Sequence, residues 1–171
     1  GGERQGIKIA GFHLGNSPRE YTEEVVSGRR ILFTTTNGTK AIARAQDCGL
    51  SPIFIGCFLN FSALASKLRK LNPPKLYLFC AGRAGAFSLE DAAFAGLLCQ
   101  KLGGLGELSD SAKAAQAIWC RWEENIPGLF AESDHGRYMI KIGFASDLAL
   151  CSVVDKYEVV PMLAGKELVP A

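Results

Sequence analysis

Between residues 31 and 102 the chain alternates short apolar runs with segments at helical spacing, and no other feature restricts its possible architectures as much. Residues 31–35 read Ile-Leu-Phe-Thr-Thr, residues 52–56 read Pro-Ile-Phe-Ile-Gly, and residues 75–80 read Lys-Leu-Tyr-Leu-Phe-Cys. A strand with one wet face alternates apolar and polar residues. A strand covered on both faces reads as a near-continuous apolar run, which is the habit of parallel sheets. Between these runs the pattern predicts helices over 41–47, stopped by Gly49, over 62–71, where Leu64, Leu68 and Leu71 share a face, and over 88–102. Such an order implies βαβ units with right-handed crossovers. The expected fold is α/β, a three-layer α/β/α arrangement with a mostly parallel central sheet, in a single domain over 1–171.

Outside this region the pattern loosens. Gly103-Gly104-Leu105-Gly106 reads as a link, and a helix over 109–122 follows with Ser109 or Asp110 as its cap. Short helices are expected over 127–133, 136–142 and 146–153, and a closing strand over 157–161. The first thirty residues are loop-like, with glycine at 1, 2, 6, 11 and 15 and a hairpin around 7–9. The opening Gly1-Gly2 in place of Met is read as a processed start or a missing upstream segment.

Composition excludes several classes. A net charge of +2 gives no field that would favour nucleic acid or an anionic membrane surface. No apolar run approaches the roughly 20 residues needed to cross a bilayer. The chain has 6 cysteines, with no Cys-x-x-Cys pair and no nearby His at metal-ligand spacing. They sit mostly in apolar runs and read as buried free thiols in a reducing, cytoplasmic compartment.

Ligands of parallel α/β sheets bind beyond the carboxyl ends of the strands. Three loops would meet there. The first is Thr34-Thr35-Thr36-Asn37-Gly38-Thr39, the second Gly56-Cys57-Phe58-Leu59-Asn60, and the third Cys80-Ala81-Gly82-Arg83-Ala84-Gly85-Ala86-Phe87-Ser88. The expected substrate-binding set is Thr35, Thr36, Asn37, Gly38, Thr39, Asn60, Arg83 and Ser88. Its chemistry suits an anion. Asn-Gly permits a tight positive-φ turn that aims backbone N–H groups at a ligand, Thr39 opens a helix whose N-terminus favours negative charge, and Arg83 offers a bidentate fork. The bland alternatives are a capped strand-to-helix turn and a surface ion pair. Glu90 and Asp91, in the first turn of the next helix, are either dipole-favoured acids or oxygen ligands for Mg²⁺. Neighbours on a helix do not share a face, so one of the two at most is expected to reach the site.

These motifs have a shared order. Gly2-Glu3-Arg4, Leu14-Gly15-Asn16-Ser17-Pro18, the Thr34 to Thr39 loop, the Gly56 to Asn60 loop, Cys80-Ala81-Gly82-Arg83 and Phe87-Ser88-Leu89-Glu90-Asp91 together resemble the 2-phosphosulfolactate phosphatase (ComB-like) family of coenzyme M biosynthesis. Beyond Asp91 the likeness is looser, through His135-Gly136-Arg137 and Gly143-Phe144-Ala145-Ser146-Asp147-Leu148. The resemblance implies Mg²⁺-dependent hydrolysis of a phosphorylated, sulfonated hydroxy acid, a homodimer, and a catalytic set of Glu3, Arg83, Glu90 and Asp91, with Glu90 or Asp91 on the metal. The alternatives are a phosphatase of the same fold with another monoester substrate, and a non-catalytic anion-binding domain. The family carries a further N-terminal stretch with an Asp and an Arg of the site. This chain begins after it, so the resemblance implies that N-terminal strands of the sheet are missing, and alone the chain is expected to be inactive and to expose apolar surface, with that stretch, if cleaved, as a partner.

Overall fold

Small and capping residues explain the helical half of the molecule. A computed structural model describes residues 1–171. After the short helix α1 (Glu23–Val26), helices α2 (Gly38–Asp47), α3 (Phe61–Leu71), α4 (Leu89–Lys101) and α5 (Asp110–Trp122) lie where the spacing predicts. Three short ones follow, α6 (Ile126–Glu132), α7 (Asp134–Lys141) and α8 (Ala145–Cys151). Their starts are set by side-chain caps: Ser88 accepts from the Asp91 N–H, Ser109 from Ala112, Asn125 from Gly128 and Ser133 from Gly136. Each satisfies an N–H that a helix start leaves unpaired.

Helix α4 is the hub. It buries Ala92, Ala93, Ala95, Gly96, Leu97, Leu98 and Cys99, so it is covered nearly all round. Its small residues let α5 come against it backbone to backbone: a Cβ on Gly96 would lie 2.0 Å from the Ala115 carbonyl oxygen. Around this pair one apolar cluster forms from Phe58, Phe61, Leu64, Leu68, Trp119, Trp122 and Leu129, among others. Phe58 sits at its centre, edge-on to Phe94 at 5.3 Å and to Phe130 at 6.1 Å.

The strands differ from expectation. The chain is mixed helix and strand, but its ladders are two antiparallel hairpins. Strand β1 (Glu3–Arg4) pairs with β2 (Ile7–Lys8) across a turn in which Gln5 and Gly6 both take positive φ. Strand β3 (Pro161–Ala164) pairs with β4 (Glu167–Pro170), where a single closing strand over 157–161 was expected. The runs 31–35, 52–56 and 75–80 do not form a parallel ladder. Thr34 makes one parallel bridge with Gly2, and Phe54 one antiparallel bridge with Met162. Residues 75–80 make no backbone–backbone hydrogen bond. A ladder requires a second strand about 4.8 Å away in hydrogen-bonding register, and no strand is bonded to this run. Its side chains are correspondingly open, with Tyr77 54% and Phe79 52% exposed, as is Leu32 at 84%.

The cysteines also depart from the reading as buried thiols. Cys99 is buried and Cys151 half-buried, whereas Cys48, Cys57, Cys80 and Cys120 reach the surface. No helix is long and apolar enough to cross a membrane.

Candidate active site

A cavity of about 890 Å³ opens where the N-terminal hairpin, the loop before α2, the loop before α4 and the start of α7 converge. Of the expected site residues, Glu3, Thr35, Thr36, Asn37, Gly38, Arg83, Ser88 and Glu90 line it.

The loop before α2 is held from two sides. Glu3 Oε1 accepts from the Thr36 N–H at 2.6 Å, and Glu3 Oε2 accepts from the Thr36 hydroxyl at 3.0 Å and the Gly6 N–H at 2.7 Å. Asn37 Oδ1 accepts from the Ala84 N–H at 2.9 Å and so ties this loop to the Arg83 loop. The positive-φ geometry expected of Asn37-Gly38 is not used there: Asn37 has φ −120°, and Gly38 is not among the positive-φ residues. It occurs instead around Arg83. Arg83 and Ala86 exchange backbone hydrogen bonds at 3.0 and 2.8 Å across Ala84 (φ 50°) and Gly85 (φ 82°), the mirror-type turn of a two-residue hairpin. Gly82 (φ 69°) permits the close return, since a Cβ there would meet the Ala86 carbonyl oxygen at 2.7 Å.

This turn presents Arg83 to the cavity. The guanidinium lies over the Tyr138 ring at 5.4 Å and takes part in no ion pair, so its fork of N–H donors is unspent. Tyr138 is itself fixed, its hydroxyl donating to the Gln5 carbonyl oxygen at 2.7 Å. His135 stacks on the same ring at 6.5 Å.

Glu90 is buried yet lines the cavity. Its Oε2 accepts from the Ser88 hydroxyl at 3.0 Å and its Oε1 from the Ser133 hydroxyl at 2.5 Å. No Lys or Arg neutralises it. Asp91 turns away, as adjacent helical positions must. Its Oδ2 accepts from the Gly82 N–H at 2.8 Å and anchors the Arg83 turn from behind.

Besides Asp91, two expected residues stand outside the cavity. The Asn60 amide is spent on backbone: Oδ1 accepts from the Cys57 N–H at 2.9 Å, and Nδ2 donates to the Val159 carbonyl at 3.0 Å and the Ile55 carbonyl at 3.2 Å. Thr39 caps within its own loop, its hydroxyl donating to the Thr35 carbonyl at 3.0 Å. The opposite wall comes from residues outside the expected set, namely Lys8, Ser17, Glu20, Ser133, Asp134, His135 and Tyr138. The traces of them in the sequence were Leu14-Gly15-Asn16-Ser17-Pro18 and His135-Gly136-Arg137. Ser17 donates to Asp147 Oδ1 at 2.9 Å, which fastens that segment to α8.

Two of the groups with displaced titration lie in the segments that build the site. At Glu3, burial pushes the carboxyl up, but the Gly6 and Thr36 N–H groups, the Thr36 hydroxyl and nearby Arg4 outweigh it and hold the group below its ordinary value of 4.5. A lowered folded-state pKa contributes stability that is present above pH 4.5 and is lost as pH falls through the folded value. Melting curves taken from pH 7 down to pH 3 should show a steeper acid loss for the parent chain than for Glu3→Gln; parallel curves would refute this. At Cys80, desolvation, then Asp91 and Cys99, push the thiol up, which leaves it protonated and a poor nucleophile.

The wall carries Glu3, Glu20, Glu90, Glu132 and Asp134 against Lys8 and Arg83 as fixed cations. An anionic ligand here requires a further positive charge. No group of three or more His, Cys, Asp or Glu side chains converges to form an all-protein metal cage. Mg²⁺ does not demand one, because it is commonly held by one or two carboxylates, waters and substrate phosphate. Glu90, a buried carboxylate without a cationic partner, fits that use. Asp91 does not, since it faces the Gly82 turn.

Comparison with known proteins identifies the family of the chain. The profile of the family described as 2-phosphosulpholactate phosphatase matches residues 1–166. A probable 2-phosphosulfolactate phosphatase of Caldanaerobacter subterraneus subsp. tengcongensis is 38% identical over 164 residues, covering 95% of this chain and 67% of that protein. One of Symbiobacterium thermophilum with the same description is 37% identical over 172 residues, covering 99% of this chain and 72% of its own. One of Synechococcus sp. (strain JA-3-3Ab) is 40% identical over 164 residues, covering 94% of this chain and 67% of its own. With its mixed helix–strand fold and an Arg- and Glu-lined cavity, the chain belongs to the 2-phosphosulfolactate phosphatase family of phosphoric monoester hydrolases.

Proposed function

We propose that this chain hydrolyses the phosphate ester of a small hydroxy acid bearing further negative charge, with 2-phosphosulfolactate as substrate and Mg²⁺ as cofactor, as part of coenzyme M synthesis. The observation that carries the reading is the pairing of an unspent Arg83 fork with a buried, cation-less Glu90 in one cavity. The substrate presents phosphate, sulfonate and carboxylate. Arg83 and the backbone of the Thr36 to Gly38 loop would bind one of these oxyanions, and Lys8 is the second fixed cation on the wall.

When bound, Mg²⁺ would neutralise phosphoryl oxygens and offset the acidic wall. The chain's own residues do the rest. Glu90 holds the cation, Arg83 orients the anion, and Phe87, Met139 and Phe144 limit water around it. The net reaction adds water across the P–O ester bond, giving inorganic phosphate and the free hydroxyl. The reading carries the three-layer α/β/α arrangement with it. Two of the expected strand segments, 31–35 and 75–80, run directly into cavity loops, as parallel strands of one sheet would. A homodimer and a cytoplasmic setting belong to the same reading.

The test is phosphate release from 2-phosphosulfolactate and from a panel of other monoesters, with Mg²⁺ or with EDTA. The expected result is Mg²⁺-dependent release with preference for the sulfonated substrate. Glu90→Gln should lower kcat/KM by roughly 100-fold, the scale of one lost charged ligand contact. Activity undiminished by EDTA would refute the cofactor, and a flat substrate profile would refute the substrate.

A further inference from the structure

Ser133 lies 43 positions from Glu90 in sequence, yet their side chains share a buried hydrogen bond of 2.5 Å. Ser133 is 2% exposed and sits where α6 ends and α7 begins. Its Oγ accepts from the Gly136 N–H at 2.9 Å and has one proton to give. The Phe130 carbonyl oxygen is 3.0 Å away and Glu90 Oε1 is nearer, so the carboxylate receives the proton. The opposite oxygen, Oε2, takes the Ser88 hydroxyl at 3.0 Å. The Glu90 carboxylate is therefore gripped by two hydroxyls, each the cap of a different helix. The corner that delivers Ser133 is built for closeness, because a Cβ on Gly136 would lie 1.5 Å from the Phe130 carbonyl oxygen.

We propose that Ser133 is a positioning residue for Glu90: its hydroxyl fixes which way the carboxylate presents its remaining lone pairs to the cavity. This rests on the reading of Glu90 as the Mg²⁺ ligand. A carboxylate held by outer hydrogen bonds meets a cation already oriented, and loss of such a partner lowers metal affinity by roughly 10- to 100-fold. Simple helix capping predicts something else, namely a lower melting temperature with Mg²⁺ affinity unchanged.

The experiment is calorimetric titration of Mg²⁺ alone into the full chain and its variants, with circular dichroism as the control for folding. Ser133→Ala should weaken Mg²⁺ by roughly tenfold or more, and Ser133→Thr, which keeps a hydroxyl, should restore affinity to within about threefold. Ser133→Cys keeps the volume and supplies only a weak donor; it stands in if the alanine variant fails to fold and should be intermediate. Glu90→Gln separates the two ideas. If it weakens Mg²⁺ while Ser133→Ala and Ser133→Cys bind as the parent does, the role of Ser133 is overturned and that of Glu90 stands. If Glu90→Gln binds Mg²⁺ as the parent does, or the parent binds none, the metal reading fails and the inference falls with it.

Discussion

Gly96→Ala should unfold or severely weaken the molecule although it adds a single methyl group. The new Cβ would stand 2.0 Å from the Ala115 carbonyl oxygen, 2.5 Å from its carbon and 2.9 Å from the Trp119 Cβ. Two of these are backbone atoms of α5, so no side chain can rotate away. The helices would have to separate, and α4 carries both the centre of the core and the cavity carboxylate. Overpacking of a tight core costs about 1–3 kcal/mol and occasionally more; backbone contact at this distance belongs at or above the upper end. Against a total stability of about 5–15 kcal/mol, that is a large fraction, and in a domain of this size each kcal/mol lowers Tm by roughly 2–4 °C. A fall of roughly 10 °C in a thermal melt is expected. A shift of less than about 2 °C would mean that the helices do not pack as described.

Arg83→Ala should have the largest effect on function at the least cost to the fold. The guanidinium is unpaired, and only its contact over Tyr138 is lost. The turn that carries it is held by the Arg83–Ala86 backbone bonds and by Asp91, none of which needs the side chain. A bidentate charged contact to an oxyanion contributes roughly 3 kcal/mol, or about 100-fold in kcat/KM. The loss should fall mainly on KM if Arg83 binds the remote anion, and on kcat if it binds the phosphoryl group. Arg83→Lys should recover a fraction, since a point charge replaces a planar fork. Phosphate release measured against substrate concentration, with Tm unchanged, decides the matter, and an unaltered kcat/KM removes Arg83 from the site.

The helices were legible because local rules govern them. Leu64, Leu68 and Leu71 at helical spacing and the caps Ser88 and Ser109 are properties of neighbours in sequence, and α3, α4 and α5 start within a residue of where they were read. Strand pairing is a property of distant partners. The runs at 31–35, 52–56 and 75–80 are apolar, but ladders require companions, and a hydrophobic pattern cannot say whether a companion is paired in register. The β3–β4 hairpin lies beyond the closing strand expected over 157–161, and its turn signal is the single pair Gly165-Lys166.

Half of the site was legible by the same logic. Arg83, Ser88 and the Thr35 to Gly38 loop follow expected strands, where sheet topology places ligands. Asn60 and Thr39 failed for one physical reason, which is that a short polar side chain beside a helix start is consumed by local backbone donors and acceptors. Ser133, His135 and Tyr138 were out of reach, because their helix meets the cavity only through the packing of α6 and α7 beside α4.

Asp91 couples the Gly82 turn to the first turn of α4, and the next residue back along that helix is Glu90. The proposed anion clamp and the proposed cation ligand therefore ride on one stiff part. Selection for a new substrate could not adjust one without disturbing the other, so that wall is a poor place for specificity to drift. The far wall of Lys8, Ser17, His135 and Tyr138 is instead spread over the N-terminal hairpin, the segment before α1, and α7. Divergence among relatives acting on differently charged phosphate esters should accumulate there, and a library confined to those four positions is the economical route to altered preference.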